Sequence, residues 1–255
     1  MRLDDHSTDA PAGDVLSKVP HVTLAFWAIK ILATTLGETG GDALSMTLQL
    51  GYAMSTLIFL AFFAVTLTPQ VASRRYHSFR YWAVVVATTT VGTTMSDYLD
   101  RTLKLGYVMS SLILFGGVLA ALFIWRRTTG RIEFDHITTR PNEVFYWVTI
   151  LISNTLGTAL GDFVATSSGL GFQRGALVFA GLLALVALAH FFTSVQKSLI
   201  FWAAYVLTRP LGATLGDTLT KSRPEGGFGV SRIASSLVIA ACIVVGIAAT
   251  SAWED

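Results

Sequence analysis

Charge is scarce in this chain. Asp, Glu, Lys and Arg make up 13% of its 255 residues, against 53% hydrophobic, and mean hydropathy is +0.60. An ordinary soluble domain carries about 25% charged residues, so the balance points away from a soluble enzyme. The net charge of +2 leaves no basic surface for a nucleic-acid partner. Cysteine is nearly missing: Cys242 stands alone in the last apolar stretch, which excludes a disulfide framework and a thiolate metal site. Residues 1–20 are polar and acid-rich with no apolar core, and are not expected to act as a secretory signal. They are expected to form a flexible, solvated cytoplasmic tail, with Pro20 placed to start the first helix.

What is present is apolar sequence in lengths of about 20 residues, enough to cross a bilayer. Eight such windows run near 22–46, 50–69, 80–99, 105–126, 143–166, 171–193, 198–220 and 229–251. The expected fold is an all-α membrane protein of eight transmembrane helices, which leaves little sequence for a soluble catalytic domain, and none is evident.

The windows repeat in pairs. Trp27, Trp82, Trp147 and Trp202 are separated by 55, 65 and 55 residues, and each leads a Gly by ten positions and an Asp by fifteen. The copies end Leu36-Gly37-Glu38-Thr39-Gly40-Gly41-Asp42, Val91-Gly92-Thr93-Thr94-Met95-Ser96-Asp97, Leu156-Gly157-Thr158-Ala159-Leu160-Gly161-Asp162 and Leu211-Gly212-Ala213-Thr214-Leu215-Gly216-Asp217. A link recurs as Leu50-Gly51-Tyr52, Leu105-Gly106-Tyr107 and Leu170-Gly171-Phe172, with a looser Gly227-Phe228 in the fourth unit. Each unit reads as a hairpin of a motif helix and a plainer helix. Two crossings per unit make the four repeats parallel, and the two simplest packings are a pseudo-fourfold ring with the motif helices inside and a pair of pairs. A first half spans 21–125 with repeats 1 and 2, a polar cytoplasmic connection spans 126–142, and a second half spans 143–255 with repeats 3 and 4.

An aspartate in hydrocarbon costs about 3 kcal/mol on insertion scales, so four in register point to a shared task for Asp42, Asp97, Asp162 and Asp217. Four and seven residues earlier, on the same helix face, lie Glu38 and Thr35, Thr93 and Thr90, Thr158 and Thr155, then Ala213 and Pro210. Three residues after the second aspartate comes Asp100. These are hard oxygen donors, suited to Mg²⁺, Mn²⁺, Ca²⁺, Na⁺ or protons. Rings of acids also select cations in pores. Four like charges without a counter-charge cannot all stay ionised, which would couple cation binding to proton release. Arg209, aligned with Thr34, Thr89 and Asn154, is a candidate counter-charge ahead of the helix-kinking Pro210.

The plainer alternatives are specific. The aspartates could cap helices or bond between them, and the Gly37/Gly41, Gly157/Gly161 and Gly212/Gly216 pairs read as close-packing surfaces. The tryptophans read as interfacial anchors, with Lys30 snorkelling to the same level.

With its L-G-x-T-x-G-D pattern, the chain resembles a family of bacterial integral membrane proteins built from four copies of a short repeat of unknown function. The resemblance covers nearly everything beyond the tail. It implies a bacterial inner-membrane location and carries over no activity and no site residues. Unit two departs from it, with Met95-Ser96 in place of Leu-Gly.

Orientation follows loop charge. Arg2, Lys18, Arg74, Arg75, Arg80, Arg126, Arg127, Arg131, Arg140 and Lys197 share the side of the termini; Arg101, Lys104, Arg174, Lys221, Arg223 and Arg232 lie opposite. Both termini are therefore expected in the cytoplasm. The functional expectation is a transporter or channel for a small cation, with a divalent metal ion as one candidate substrate. The runners-up are a carrier of an amine-bearing solute, a non-transporting scaffold and an acid-only intramembrane enzyme, the enzyme being disfavoured because hydrolysis needs two carboxylates and not four. The lipid bilayer is the expected partner, and a homo-oligomer is compatible with the sequence.

Overall fold

A computed structural model describes residues 17–73, 75–132 and 137–251. Most of the expected tail, and residues 133–136 of the polar connection, lie outside the described residues. Eight long helices follow one another: α1 Leu24–Asp42, α2 Gly51–Ala72, α3 Ser78–Asp97, α4 Tyr107–Thr129, α5 Arg140–Asp162, α6 Gly171–Phe192, α7 Lys197–Thr220 and α8 Arg232–Ser251. No strand occurs among the described residues. This is the expected all-α architecture of four two-helix repeats. Six helices are long and apolar enough to span a membrane on composition alone, the exceptions being α1 and α3. Those two carry polar stripes and lie inside the bundle, so their own composition understates their surroundings.

Local sequence explains the helix limits. The Thr23 hydroxyl caps α1 by accepting from the Phe26 N–H at 3.2 Å, and Thr139 caps α5 in the same way. The recurring link glycine is a conformational requirement: Gly51, Gly106 and Gly171 have φ of 72°, 74° and 76°, a region costly to other residues. After Asp42, Asp97 and Asp162 the helix loosens into a five-residue π turn, but α7 stops at Thr220 without one.

The motif helices form a closed ring in the order α1, α3, α5, α7, with α7 returning to α1. The outer helices correct the hairpin expectation. Each packs along the motif helix of the next repeat: α2 on α3, α4 on α5, α6 on α7, and α8 back on α1. In the first three repeats a π turn and a left-handed glycine lie between the motif helix and the outer helix, and the fourth makes the same shift without a π turn, through Gly226 and Gly229 at φ 89° and 72°. Residues such as Leu57, Val65, Leu112, Leu177, Leu185 and Val244 on the outer helices remain exposed, as expected of a lipid-facing surface.

Glycine sets the tightness of the ring. The motif glycines Gly37, Gly92, Gly157 and Gly212 receive Thr89, Asn154, Arg209 and Thr34 of the neighbouring helix. A Cβ on Gly37 would lie 2.5 Å from the Thr89 Cβ, and one on Gly92 would lie 2.9 Å from the Asn154 carbonyl carbon. The small-residue reading of these positions therefore holds.

At the opposite end of the helices from the aspartates, each repeat supplies an aromatic pair: Phe26-Trp27, Tyr81-Trp82, Tyr146-Trp147 and Phe201-Trp202. The first ring of each pair meets the tryptophan of the adjacent repeat. Centroid distances are 5.4 Å for Phe26–Trp82, 5.5 Å for Tyr81–Trp147, 5.9 Å for Tyr146–Trp202 and 5.8 Å for Phe201–Trp27. Trp82, Trp147 and Trp202 are thus buried in a collar closing the ring, not placed as interfacial anchors. Ser17–Pro20, assigned to the tail from sequence, packs beneath the collar, where buried Lys18 meets Glu143 at 2.7 Å.

Candidate ion-binding site

Glu38, Asp42, Asp97, Asp162 and Asp217 all project into the far half of the ring, and none is more than 3% exposed. Helical registry brings them together, because each aspartate follows its packing glycine by five residues and the glycines already share one level.

The side chains form levels along the axis. Lys30, Val85, Ile150 and Tyr205 occupy equivalent positions just past the aromatic collar, followed by Thr34, Thr89, Asn154 and Arg209, then Glu38, Thr93, Thr158 and Ala213, and last the four aspartates. Arg209 reaches the axis from α7, which runs unbroken through Pro210. Its Nη2 donates to Glu38 Oε2 at 3.1 Å, to Thr158 Oγ1 at 2.7 Å and to Thr93 Oγ1, while Nη1 donates to the Thr34 carbonyl at 3.0 Å. One guanidinium therefore gathers a side chain from each of the other three repeats. The counter-charge expected of Arg209 is present, directed at Glu38 and not at the aspartates.

The aspartates have their own bases, and these break the fourfold pattern into two pairs. Arg101 joins Asp97 at 2.9 Å and Asp162 at 3.4 Å, and its Nη1 donates to the link hydroxyl of Tyr52 at 3.2 Å. Lys221 joins Asp42 at 3.1 Å and Asp217 at 3.2 Å, with Arg232 adding a contact to Asp42 at 3.4 Å. Burial alone would lower the Lys221 pKa, but Asp217 and Asp42 outweigh it and raise the value, so the ammonium is kept. Glu38, Asp42 and Asp217 each present an oxygen within 4.8 Å of the others, the only such group of metal-ligating side chains among the described residues. Asp97 and Asp162 stand apart under Arg101.

The remaining sequence candidates divide. Thr93 and Thr158 reach the centre, Thr93 donating to Glu38 at 3.3 Å as well as receiving Arg209. Thr35, Thr90 and Thr155 donate to carbonyls of their own helices, at 2.9 Å to Ile31, 2.9 Å to Ala87 and 3.0 Å to Leu151. Asp100 accepts from Ser96 at 3.2 Å.

Sequence reasoning missed Arg101, Lys221 and Arg232 by counting them as loop charges. A signal existed: Arg101 and Lys221 each follow their aspartate by four residues, one helical turn, where the first and third repeats have Met46 and Thr166. Lys30 was missed as well. It is fully buried on the axis and does not snorkel to an interface.

A family model described as Repeat of Unknown Function (DUF347) matches the chain four times, at residues 25–76, 80–131, 145–196 and 200–254. No curated protein and no solved structure gives a significant match.

Proposed function

The chain belongs to this four-copy repeat family, and on that premise we propose that it is a membrane transporter moving a small cation along the axis of the inner-helix ring. One observation carries the reading: five acids are buried on that axis, and each is held by a positive side chain of the protein itself. Groups that hold tethered cations are suited to hold a free one in exchange. Glu38, Asp42 and Asp217 form the receiving site, a hard-oxygen set fitting Mg²⁺, Mn²⁺, Ca²⁺ or Na⁺, and Lys221 swings out as the cargo enters. An exchanging carrier is favoured over an open pore because Arg209 fills the axis. An acid-only hydrolase is disfavoured, since no two of these carboxylates are left unpaired to act as acid and base.

An amine-bearing solute is the second reading. Its support is Lys221 itself, an alkylammonium seated between Asp42 and Asp217 at 3.1 and 3.2 Å. In either case the bilayer is the setting, a bacterial inner membrane by the family resemblance, with both termini cytoplasmic. Loop charge supports that orientation more strongly once Arg101, Lys221 and Arg232 are recognised as internal partners of the acids. Lys104, Arg174 and Arg223 are then all that remain on the outer side.

The test is flux in proteoliposomes against a panel of metal ions and alkylamines. Asp42→Asn and Asp217→Asn should abolish transport, and Asp97→Asn and Asp162→Asn should weaken it less. Wild-type flux in all four aspartate variants would refute the reading. Competition by amines with indifference to metals would select the second cargo.

A further inference from the structure

Charge accounting along the axis exposes one group that the cation site does not use. The buried acids Glu38, Asp42, Asp97, Asp162 and Asp217 number five, and four bases touch them: Arg101, Arg209, Lys221 and Arg232. Lys30 is the fifth base. It is 0% exposed, and among the described residues no carboxylate lies within 4.0 Å of its Nζ. Its contacts are the Asn154 Oδ1 at 3.4 Å and the face of the Tyr205 ring at 4.1 Å. Asn154 is oriented by its own donation to Thr88 Oγ1 at 3.0 Å, so it presents its oxygen to the amine.

The surroundings of Lys30 bear on its charge from every side. From α7 come Tyr205 and, one turn on, Arg209, itself a cation engaged with Glu38. From α5 comes the neutral Asn154. From α3 the equivalent position is Val85, with the ionisable Tyr81 one turn nearer the collar. α8 carries only Arg232, engaged with Asp42 at the far end, and an exposed Cys242. No group in this shell gives an ammonium at Lys30 the counter-ion that the other bases have.

We infer that Lys30 is the proton-exchanging group of the transport cycle, releasing one proton when a divalent cation settles among Glu38, Asp42 and Asp217. The inference rests on the cation-transport reading. The balance closes for Mg²⁺, Mn²⁺ or Ca²⁺: two positive charges enter, Lys221 swinging out offsets one, and the Lys30 ammonium offsets the other by breaking one N–H bond, its electron pair staying on nitrogen and the proton leaving to solvent. That exchange keeps the ring's total charge constant in a low-dielectric interior, where an uncompensated charge is poorly tolerated. Lys30 lies between the acid site and the aromatic collar, on the path a released proton would take toward the collar end. There Tyr81 and Tyr146 share a hydroxyl–hydroxyl hydrogen bond of 2.6 Å.

The experiment uses purified full-length protein, with Na⁺, Mg²⁺, Mn²⁺ and Ca²⁺ each added to a weakly buffered sample carrying a pH indicator. Wild type should release one proton per divalent cation bound and none with Na⁺, which the displaced Lys221 alone offsets. Lys30→Met and Lys30→Arg should bind the same cation with proton release reduced at least tenfold, and in vesicles they should keep cation–cation exchange while losing accumulation driven by a pH gradient. Equal release by wild type and both variants would overturn the inference. If no cation binds wild type, the transport reading falls instead, and a separate measurement still judges Lys30. In lysine-¹⁵N spectra, the signal missing from Lys30→Arg should change protonation state between mildly acidic and mildly alkaline solution; an invariant signal sinks the proposal. Thermal midpoints of both variants confirm that they remain folded.

Discussion

Removing the Arg209 side chain should destabilise the protein, and removing Glu38 with it should restore most of the loss. Arg209 is fully buried and spends its donors on Glu38, Thr158, Thr93 and the Thr34 carbonyl. Arg209→Met leaves the Glu38 carboxylate in the interior with only the 3.3 Å bond from Thr93. Breaking one side of a buried pair costs about 3–5 kcal/mol, which for a chain of this size lowers the melting temperature by about 6–20 °C. Glu38→Met strands the guanidinium and should cost a similar amount. In the double variant no charge is stranded. Thr93 keeps its acceptors at Gly37 O, 3.0 Å, and Thr89 O, 3.3 Å, and Thr158 keeps Asn154 O at 3.4 Å. The double variant should therefore melt within about 1 kcal/mol of wild type, since apolar replacement of a buried pair is often neutral or stabilising. The assay is thermal unfolding of the four proteins in one detergent, read as a double-mutant cycle. If the double variant loses the sum of the two single losses, Arg209 is not the counter-charge of Glu38, and the axial description is wrong. Transport should be lost in all three variants whatever their stability, because each alters the axis itself.

Further outcomes follow from the packing. Gly37→Ala pushes a Cβ into Thr89 and should cost about 1–3 kcal/mol by overpacking; Gly181→Ala, in open space on α6, should cost nothing or stabilise by about 0.5–1 kcal/mol. Equal melting temperatures for the two would contradict the ring geometry. Tyr81→Phe orphans the buried Tyr146 hydroxyl and should cost about 1–3 kcal/mol, most of it recovered by adding Tyr146→Phe. Lys18→Met removes the contacts to Glu143 at 2.7 Å and the Val71 carbonyl at 3.2 Å, and limited proteolysis ahead of α1 should quicken; an unchanged cleavage rate argues that the backbone bond from Lys18 to Ile137 alone holds the segment.

Much of this molecule was legible in one dimension because its code is repetition. The glycine ten residues after each tryptophan and the aspartate five residues later announced four equivalent helices, and their burial followed from the cost of a lone carboxylate in hydrocarbon. The choice of those acids as the functional centre came from the same cost. The role of the tryptophans was misread. Trp at the end of an apolar stretch looks alike as an interfacial anchor and as a collar residue, and only the partner ring of the next repeat separates the two. Lys30 was misplaced for a similar reason, since a lysine near a helix end ordinarily reaches for water.

Sequence alone determined the helix count, the parallel repeats, the glycine surfaces and the residue types gathered at the acid end, all properties of spacing along a single helix. Tertiary structure alone decided which helix each outer helix covers, and that Arg101 and Lys221 turn inward to sort four equal aspartates into two pairs. Such choices depend on distances between separate repeats. A charge written in a loop does not show whether it will meet water or a buried carboxylate until the ring has closed.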